Sequence, residues 1–184
     1  MMPPVEVLRE CFEFEPSTGM LTWRTRPVWH FTSPARAAWW NGRWAGTPAL
    51  QSSQTSYGHR GGCVTIQGVQ HKLLAHRVIW SLIHDRHPGA IVSHWDRDAG
   101  QNDAGNLRAS SRSQSSRDSM RRKPGLKGAY RTASGKWRSC VWAGGKQRHL
   151  GTFTTEQAAH EAWVVANVKV AGRFFNAGYP TVFD

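Results

Sequence analysis

The chain has 184 residues, of which 39% are hydrophobic and 20% charged. It is long enough for one compact domain or two small ones, and too apolar to be disordered throughout. Its 24 Lys and Arg residues against 12 Asp and Glu give a net charge of +12, which indicates a polyanionic partner, most simply nucleic acid. No apolar run reaches the roughly 18 residues of a membrane-spanning helix, and the charged N-terminal stretch predicts no signal peptide.

The positive charge is concentrated between Arg108 and Arg148. This stretch holds 12 Lys and Arg residues and a single acid, Asp118. Such a concentration favours a binding face over a generally soluble basic surface, which is the alternative interpretation.

The three cysteines, Cys11, Cys63 and Cys140, lie far apart and include no CxxC pair. We therefore expect neither a zinc knuckle nor a disulfide scaffold. A reducing cytoplasm is the simplest setting, and we interpret all three cysteines as small packing residues.

The N-terminal part of the chain predicts a mixture of helices and short strands. A short amphipathic helix is expected over 4–14, and FEFEPSTGMLTWR predicts a hairpin around Pro16 to Gly19. The stretch 27–54 has no clear period. Short strands are then predicted over 63–66 and 69–74, and a helix with apolar residues at helical spacing over 75–84.

The C-terminal part predicts a second group of elements. A strand over 90–95, a polar loop over 96–105, a short strand over 106–109 and a polar helix over 113–120 come first. RRKPG indicates a linker, and three strands follow over 127–132, 136–142 and 147–153. A last helix is expected from Thr154, which forms a capping box with Gln157, to Gly172.

Five of the ten tryptophans lie in or beside the stretch 27–54. They are Trp23, Trp29, Trp39, Trp40 and Trp44. We favour their filling a small core under long loops, with base stacking as the alternative.

A histidine at the end of an apolar strand is the main candidate for chemistry. His94 is followed by a polar loop containing Asn102 and Asn106. An amide can hold one ring nitrogen, which leaves the other free to take a proton from water. The other histidines are interpreted as surface or packing residues, and His76 as structural.

The segment 91–119, IVSHWDRDAGQNDAGNLRASSRSQSSRDS, resembles the HNH nuclease family, in particular its phage and homing-endonuclease branch. The branch pattern is DHxDGD, then N-N-x-x-x-N-L-R, then S-Q-N on a helix. The AHR opening of the preceding helix and the N-terminal hairpin are also similar to that branch. The matching positions are His94, Asp96, Asp98, Asn102, Asn106, Leu107, Arg108, Ser113 and Gln114.

The resemblance implies an α+β fold with a ββα-metal core that hydrolyses phosphodiesters in double-stranded DNA with one divalent cation, Mg²⁺ or Mn²⁺. It implies that His94 is the general base, that Asn106 orients it, and that Asn102 and Asp96 shape the loop. It also implies a phage- or prophage-encoded protein in the bacterial cytoplasm. We expect no small-molecule cofactor and no membrane partner.

The sequence departs from the family at both expected metal ligands. Ser93 stands where the family places Asp, and Ser115 where it places Asn or His. Serine hydroxyls are poor ligands for a hard dication. Asp118, one helical turn beyond Ser115, or a loop carboxylate such as Asp96 or Asp98 are the alternative ligands.

Residues 127–176 resemble an AP2-type DNA-binding domain, a three-stranded antiparallel sheet backed by one helix. Motifs such as KG at 127–128, GKWR at 135–138 and HLGTF at 149–153 carry the resemblance. Strand alternation puts Trp137, Ser139 and Val141 on one face and cations with an indole on the other. The expected DNA-binding residues are Lys127, Tyr130, Arg131, Lys136, Arg138, Trp142, Gln147 and His149.

The sequence thus predicts an HNH-type endonuclease domain over 1–120, a linker over 121–126 and an AP2-like domain over 127–176. One alternative is a non-catalytic DNA-binding descendant of such a nuclease, which Ser93 and Ser115 favour. The other is a virion or interaction protein with a basic binding face.

Overall fold

A computed structural model of the chain describes residues 1–56, 58–118 and 125–175. Within them the fold is α+β, with several small antiparallel sheets. The helices are α1 (Val5–Cys11), α2 (Pro34–Trp44), α3 (Ala75–His84), α4 (Arg112–Asp118) and α5 (Glu156–Ala171). The strands are β1 (Phe12–Glu15), β2 (Met20–Trp23), β3 (Ser52–Ser53), β4 (Arg60–Ile66), β5 (Val69–Leu74), β6 (Ile91–His94), β7 (Leu107–Ser110), β8 (Ala129–Arg131), β9 (Trp137–Ala143) and β10 (Lys146–Phe153).

The chain divides into two units, Met1–Ser111 and Arg112–Asp184. The division precedes α4, whereas the sequence analysis placed α4 with the first domain. Of the expected linker over 121–126, residues 121–124 lie outside the described residues.

The core of the first unit forms where α1 and α3 pack against the small sheets. Leu8 and Phe12 meet Val78 and Ile79 of α3, which are fully buried because apolar residues recur along this helix at helical spacing. The predicted helix over 75–84 is confirmed. No helix among the described residues is long and apolar enough to cross a membrane.

The predicted N-terminal hairpin is confirmed: β1 pairs with β2 in antiparallel register, Phe12 opposite Trp23. Its turn contains Gly19, which has φ +67°. A Cβ atom at Gly19 would overlap the backbone of Asn102 and Asp103. The hairpin turn therefore lies directly against the loop that follows His94.

Helix α2 was not predicted from the sequence. Ser33 caps it by accepting a hydrogen bond from the backbone N–H of Arg36, and Pro34 occupies its first turn. Ala37 is its buried residue, so the helix has no apolar stripe that a periodicity argument could detect.

The interpretation of the tryptophans as core residues holds only in part. Trp23 and Trp40 are half-buried with ring centroids 5.1 Å apart. Trp29, Trp39 and Trp44 are exposed, and for these the interpretation as core residues is wrong.

The cysteine interpretation also needs a correction. Cys11 is a buried core residue, and burial raises the pKa of its thiol to about 11. Cys63 is exposed on β4, where alternate side chains point to solvent, and so it is not a packing residue.

The second unit contains the predicted sheet and helix. Its strands lie in the order β10-β9-β8, all antiparallel, and α5 packs against them. Thr155 caps α5 by accepting a hydrogen bond from the Ala158 N–H. The predicted capping box of Thr154 with Gln157 is therefore wrong. Gly128, with φ +81°, lies so close to the Trp163 ring that a Cβ atom would overlap it.

Candidate functional site

His94 ends strand β6 and is buried. Its Nε2–H donates a hydrogen bond to Oδ1 of Asn102 over 2.9 Å. Because a carbonyl oxygen only accepts, this bond places the proton on Nε2 and leaves the lone pair on Nδ1. Among the described residues, Nδ1 has no hydrogen-bond partner. His94 is therefore held by one nitrogen while the other is available as a base.

The amide that contacts His94 is that of Asn102, whereas the sequence analysis gave this part to Asn106. Asn106 fastens the loop to itself: its Oδ1 accepts from the Asp96 N–H at 3.1 Å, and its Nδ2 donates to the Gln101 carbonyl at 2.7 Å. The Asn106 backbone carbonyl accepts from the Trp95 N–H at 2.9 Å. The amide on the imidazole therefore comes from Asn102, eight residues after His94, and not from Asn106, twelve residues after it.

The loop carboxylates are engaged by neighbouring backbone N–H groups. Asp96 Oδ1 accepts from the Asp98 N–H, and Asp98 Oδ1 from the Gly100 N–H, each at 2.8 Å. Asp103 Oδ1 accepts from the N–H groups of Gly105 and Asn106. These short-range bonds are those that aspartate makes in turns, and they hold the loop that carries Asn102.

The described residues do not provide the ligand set that the divalent cation would need. Ser93 Oγ lies 2.6 Å from Ser110 Oγ in a hydrogen bond across β6 and β7. No group of three or more His, Cys, Asp or Glu side chains in the described part of the chain can hold a metal ion. A hard dication prefers carboxylate and carbonyl oxygens, so the fit to such an ion beside His94 is poor.

Ser115 and Asp118, the other expected ligands, lie on α4 in the second unit. Ser115 is half-buried, and Asp118 is buried and has an interaction partner.

Two further histidines lie beside His94 and were not predicted as neighbours. The ring centroids of His59 and His76 lie 5.7 and 5.3 Å from that of His94, and 4.7 Å from each other. His76 opens α3, and His59 precedes β4. Nδ1 of His59 and Nδ1 of His76 are buried and have no hydrogen-bond partner among the residues that the structure describes. The AHR motif drew attention to His76, but no local signal marks His59.

Burial controls the charge of these two histidines. Burial, reinforced by the neighbouring His59, lowers the pKa of His76 to about 3. Burial and the proximity of His94 also lower the pKa of His59. Both imidazoles therefore favour the neutral form, because a low-dielectric environment disfavours their cations. They surround His94 with uncharged rings rather than with counter-ions.

The second unit presents a polar face on its sheet. On β9, Ser139 and Val141 are buried beneath α5, while Arg138 and Trp142 are exposed, Trp142 by 60%. The register places further exposed side chains in the same rows. Tyr130 lies opposite Arg138, Gln147 opposite Trp142, and His149 opposite Cys140. The expected alternation is confirmed at these positions.

The remaining expected DNA contacts are placed differently. Lys127 donates to the Arg117 carbonyl and lies 5.4 Å from the centroid of the Trp163 ring, so it belongs to the α5 side of the unit. Arg131 is exposed opposite Trp137, in the row that faces α5. Lys136 is exposed in the turn before β9. We define the polar sheet face as Tyr130, Arg138, Trp142, Gln147 and His149.

One known protein family matches the part of the chain that contains His94 and its loop. Residues 73–117 match the family model described as HNH endonuclease. The match covers α3, β6, the loop with Asn102 and Asn106, β7 and most of α4. No curated protein and no solved structure matches the chain. Over these residues the chain is similar to HNH endonucleases, which suggests nuclease activity on DNA.

Proposed function

We propose that the chain is a DNA endonuclease in which His94 acts as the general base on a phosphodiester. The observation that carries the proposal is the hydrogen bond from His94 to Asn102 inside the segment that matches the HNH family. It orients the imidazole at the end of β6, and in the neutral form of the ring it leaves the lone pair on Nδ1.

In this proposal His94 Nδ1 takes a proton from the attacking water as the water oxygen bonds to phosphorus. The bond from phosphorus to one sugar oxygen breaks, and this oxygen leaves with the bonding pair and takes a proton from solvent. Asn102 holds the ring at Nε2 and favours the imidazolium once it forms, because its Oδ1 then accepts from a cationic donor. His59 and His76 place two further rings beside the His94 imidazole. No step passes through a metal ion, since the described residues offer no carboxylate set for one beside His94.

The polar sheet face supplies the second half of the proposal, contact with the DNA duplex. Arg138 offers a cation to phosphate or to a guanine edge, and Gln147 offers an amide to bases. Trp142 adds an exposed indole at the same face. The net charge of +12 supports association with a polyanion, independently of its base sequence.

The test of the proposal is incubation of supercoiled plasmid with the protein, both with Mg²⁺ or Mn²⁺ and in EDTA, followed by separation of the plasmid forms on a gel. The chain and the variant His87→Ala, in which an exposed histidine is removed, should both produce nicked or linear plasmid. His94→Ala should produce nicked or linear plasmid at least about 10²-fold more slowly. Equal cleavage by His94→Ala would refute the assignment of the base.

A second function is favoured by the hydrogen bond between Ser93 and Ser110. A serine engaged in this way, in place of a carboxylate, suits a DNA-binding protein derived from a nuclease. Such a protein binds duplex DNA in a salt-sensitive manner without cutting it. The double change Ser93→Asp, Ser115→Asn should then create cleavage that the original chain lacks.

A further inference from the structure

A cavity of about 590 Å³ lies in the first unit and is not lined by His94 or its loop. Its walls are aromatic, its base is cationic, and no acidic residue lines it. The residues that define this aromatic pocket are Trp23, Arg26, Phe31, Arg36, Trp40 and Trp44.

Arg26 forms the base of the aromatic pocket and is only 3% exposed. Its Nη2 donates to the Thr65 carbonyl at 2.6 Å, and its Nε donates to Nδ1 of His30 at 3.1 Å. Among the described residues no carboxylate lies within 4.0 Å of the guanidinium. Glu10 reaches it only through the intervening imidazole, whose Nε2 lies 2.8 Å from the Glu10 carboxylate.

A buried cation without an anionic partner is unfavourable unless another anion is supplied. Burial accordingly lowers the pKa of Arg26, although arginine stays charged in proteins. The aromatic pocket therefore has a deficit of negative charge at its base, which an anionic ligand would correct.

The walls of the aromatic pocket favour a planar ligand. The guanidinium carbon of Arg26 lies 4.6 Å from the Phe31 ring centroid and 4.7 Å from that of Trp40. The Arg26 guanidinium therefore stacks on both rings at the base of the pocket. At the rim, Trp44 is 40% exposed and Arg36 is exposed. An indole and a guanidinium at an open rim suit a base and its phosphate.

We propose that the aromatic pocket binds an unpaired nucleotide of a DNA strand, with its base stacked on Trp44 and its phosphate between Arg36 at the rim and Arg26 at the base. This inference rests on the proposed function only in taking DNA as the ligand. It adds a single-strand contact in the first unit to the duplex contact of the polar sheet face. Trp44 is 40% exposed although it lines the pocket, so its ring is accessible to a ligand.

Calorimetric titration compares pentathymidylate with an abasic pentamer of the same charge. The chain should bind pentathymidylate about tenfold more tightly, because stacking requires the base. In Trp44→Ala this preference should fall to near one. In Trp39→Ala it should persist, since Trp39 lies on the same helix, is 64% exposed and does not line the pocket.

Arg36→Ala should weaken binding of both pentamers and preserve their ratio, because it removes a phosphate contact and leaves the stacking surface. Equal affinity of the chain for the two pentamers, or a preference that survives in Trp44→Ala, would overturn the inference. Plasmid nicking by the chain and by His94→Ala is measured on the same samples. A nicking result that depends on His94, together with equal pentamer affinities, would refute the pocket and retain the proposed function.

Discussion

At the scale of single residues, the contact between His94 and Asn102 decides which nitrogen can act as a base. Asn102 is buried and presents its carbonyl oxygen to Nε2. The two atoms are 2.9 Å apart, so the side chain fixes the tautomer and the orientation of the ring together. In the proposed mechanism, Asn102 is therefore a positioning residue that acts through the histidine.

Replacing Asn102 separates this positioning role from simple support of the loop. Asn102→Ala should slow plasmid nicking by about 10- to 100-fold, a size typical of side chains that orient a functional imidazole. Asn102→Asp keeps an oxygen acceptor and should recover most of the rate. If alanine and aspartate variants nick equally slowly while both remain folded, Asn102 does not act through its oxygen.

The sequence predicted an amide beside His94 and the family resemblance assigned this role to Asn106, whereas the structure places Asn102 there. Eight and twelve residues separate His94 from Asn102 and Asn106, and a loop without regular structure has no period that orders them. The turn bonds of Asp96, Asp98 and Asp103 help to fold the loop so that Asn102 reaches the ring.

At the scale of elements, the N-terminal hairpin supports the loop of the candidate active site. The turn at Gly19 lies against the backbone of Asn102, and the Ala104 N–H donates to the Pro16 carbonyl at 3.3 Å. The hairpin was predicted correctly from alternation. Its contact with the loop was not, because pairing across distant segments leaves no local pattern.

Gly19→Ala tests that support. The substitution adds a side chain at positive φ and forces it into the Asn102 backbone, so we expect about 2–4 kcal/mol of destabilisation and slower nicking. Gly46 also has positive φ, +79°, but has open space around it. Gly46→Ala should cost only about 1–2 kcal/mol. Equal unfolding midpoints in urea for the two variants would contradict the contact.

The polar sheet face can be tested through its salt dependence. Arg138→Ala should reduce the slope of log K against log salt for duplex DNA by about 0.9, the contribution of one phosphate contact. Lys169→Ala removes the same charge from α5 and should leave the slope nearly unchanged. Fluorescence anisotropy over a salt series measures both, and equal slopes for the two variants would argue against this face.

The elements differed in how well the sequence predicted them. Strand alternation in β9 was clear because Ser139 and Val141 pack beneath α5 while Arg138 and Trp142 face solvent. Helix α2 was missed because only Ala37 is buried along it. The cap at Ser33 and the proline after it were the available signals. Without an apolar stripe, those signals were not distinguished from a turn.

At the scale of the whole molecule, the buried histidines link folding to pH. In the unfolded chain His76 takes up a proton below its ordinary pKa of 6.5, whereas in the folded chain its pKa is about 3. The unfolded state therefore binds more protons between these values. The stability that neutral His76 allows is present above pH 6.5 and is lost as the pH falls toward 3.

Urea unfolding at a series of pH values measures this linkage. Between pH 6 and pH 4 the free energy of unfolding should fall by as much as about 1.4 kcal/mol per pH unit through His76 alone. His76→Gln should remove that part of the slope, while His87→Gln, at an exposed position, should not. If the free energy of unfolding of His76→Gln depends on pH as steeply as that of the original chain, the lowered pKa of His76 is not the source of this dependence.

Charge and the HNH pattern predicted a DNA-directed molecule, and the match over residues 73–117 supports that level of the prediction. The aromatic pocket and the histidine cluster were beyond the sequence. Each combines residues that are distant in the chain, such as Arg26 with Thr65 and His59 with His94. The residue types in both sites are common in proteins, and they form a site only because the fold brings them together.

The most direct test of the account is the single-turnover rate of plasmid nicking, measured with protein in excess and DNA fully bound. With His94 as the base, His94→Ala should bind duplex DNA as tightly as the original chain and nick it at least about 100-fold more slowly. A His94→Ala variant that binds and nicks at the original rate would contradict the central claim.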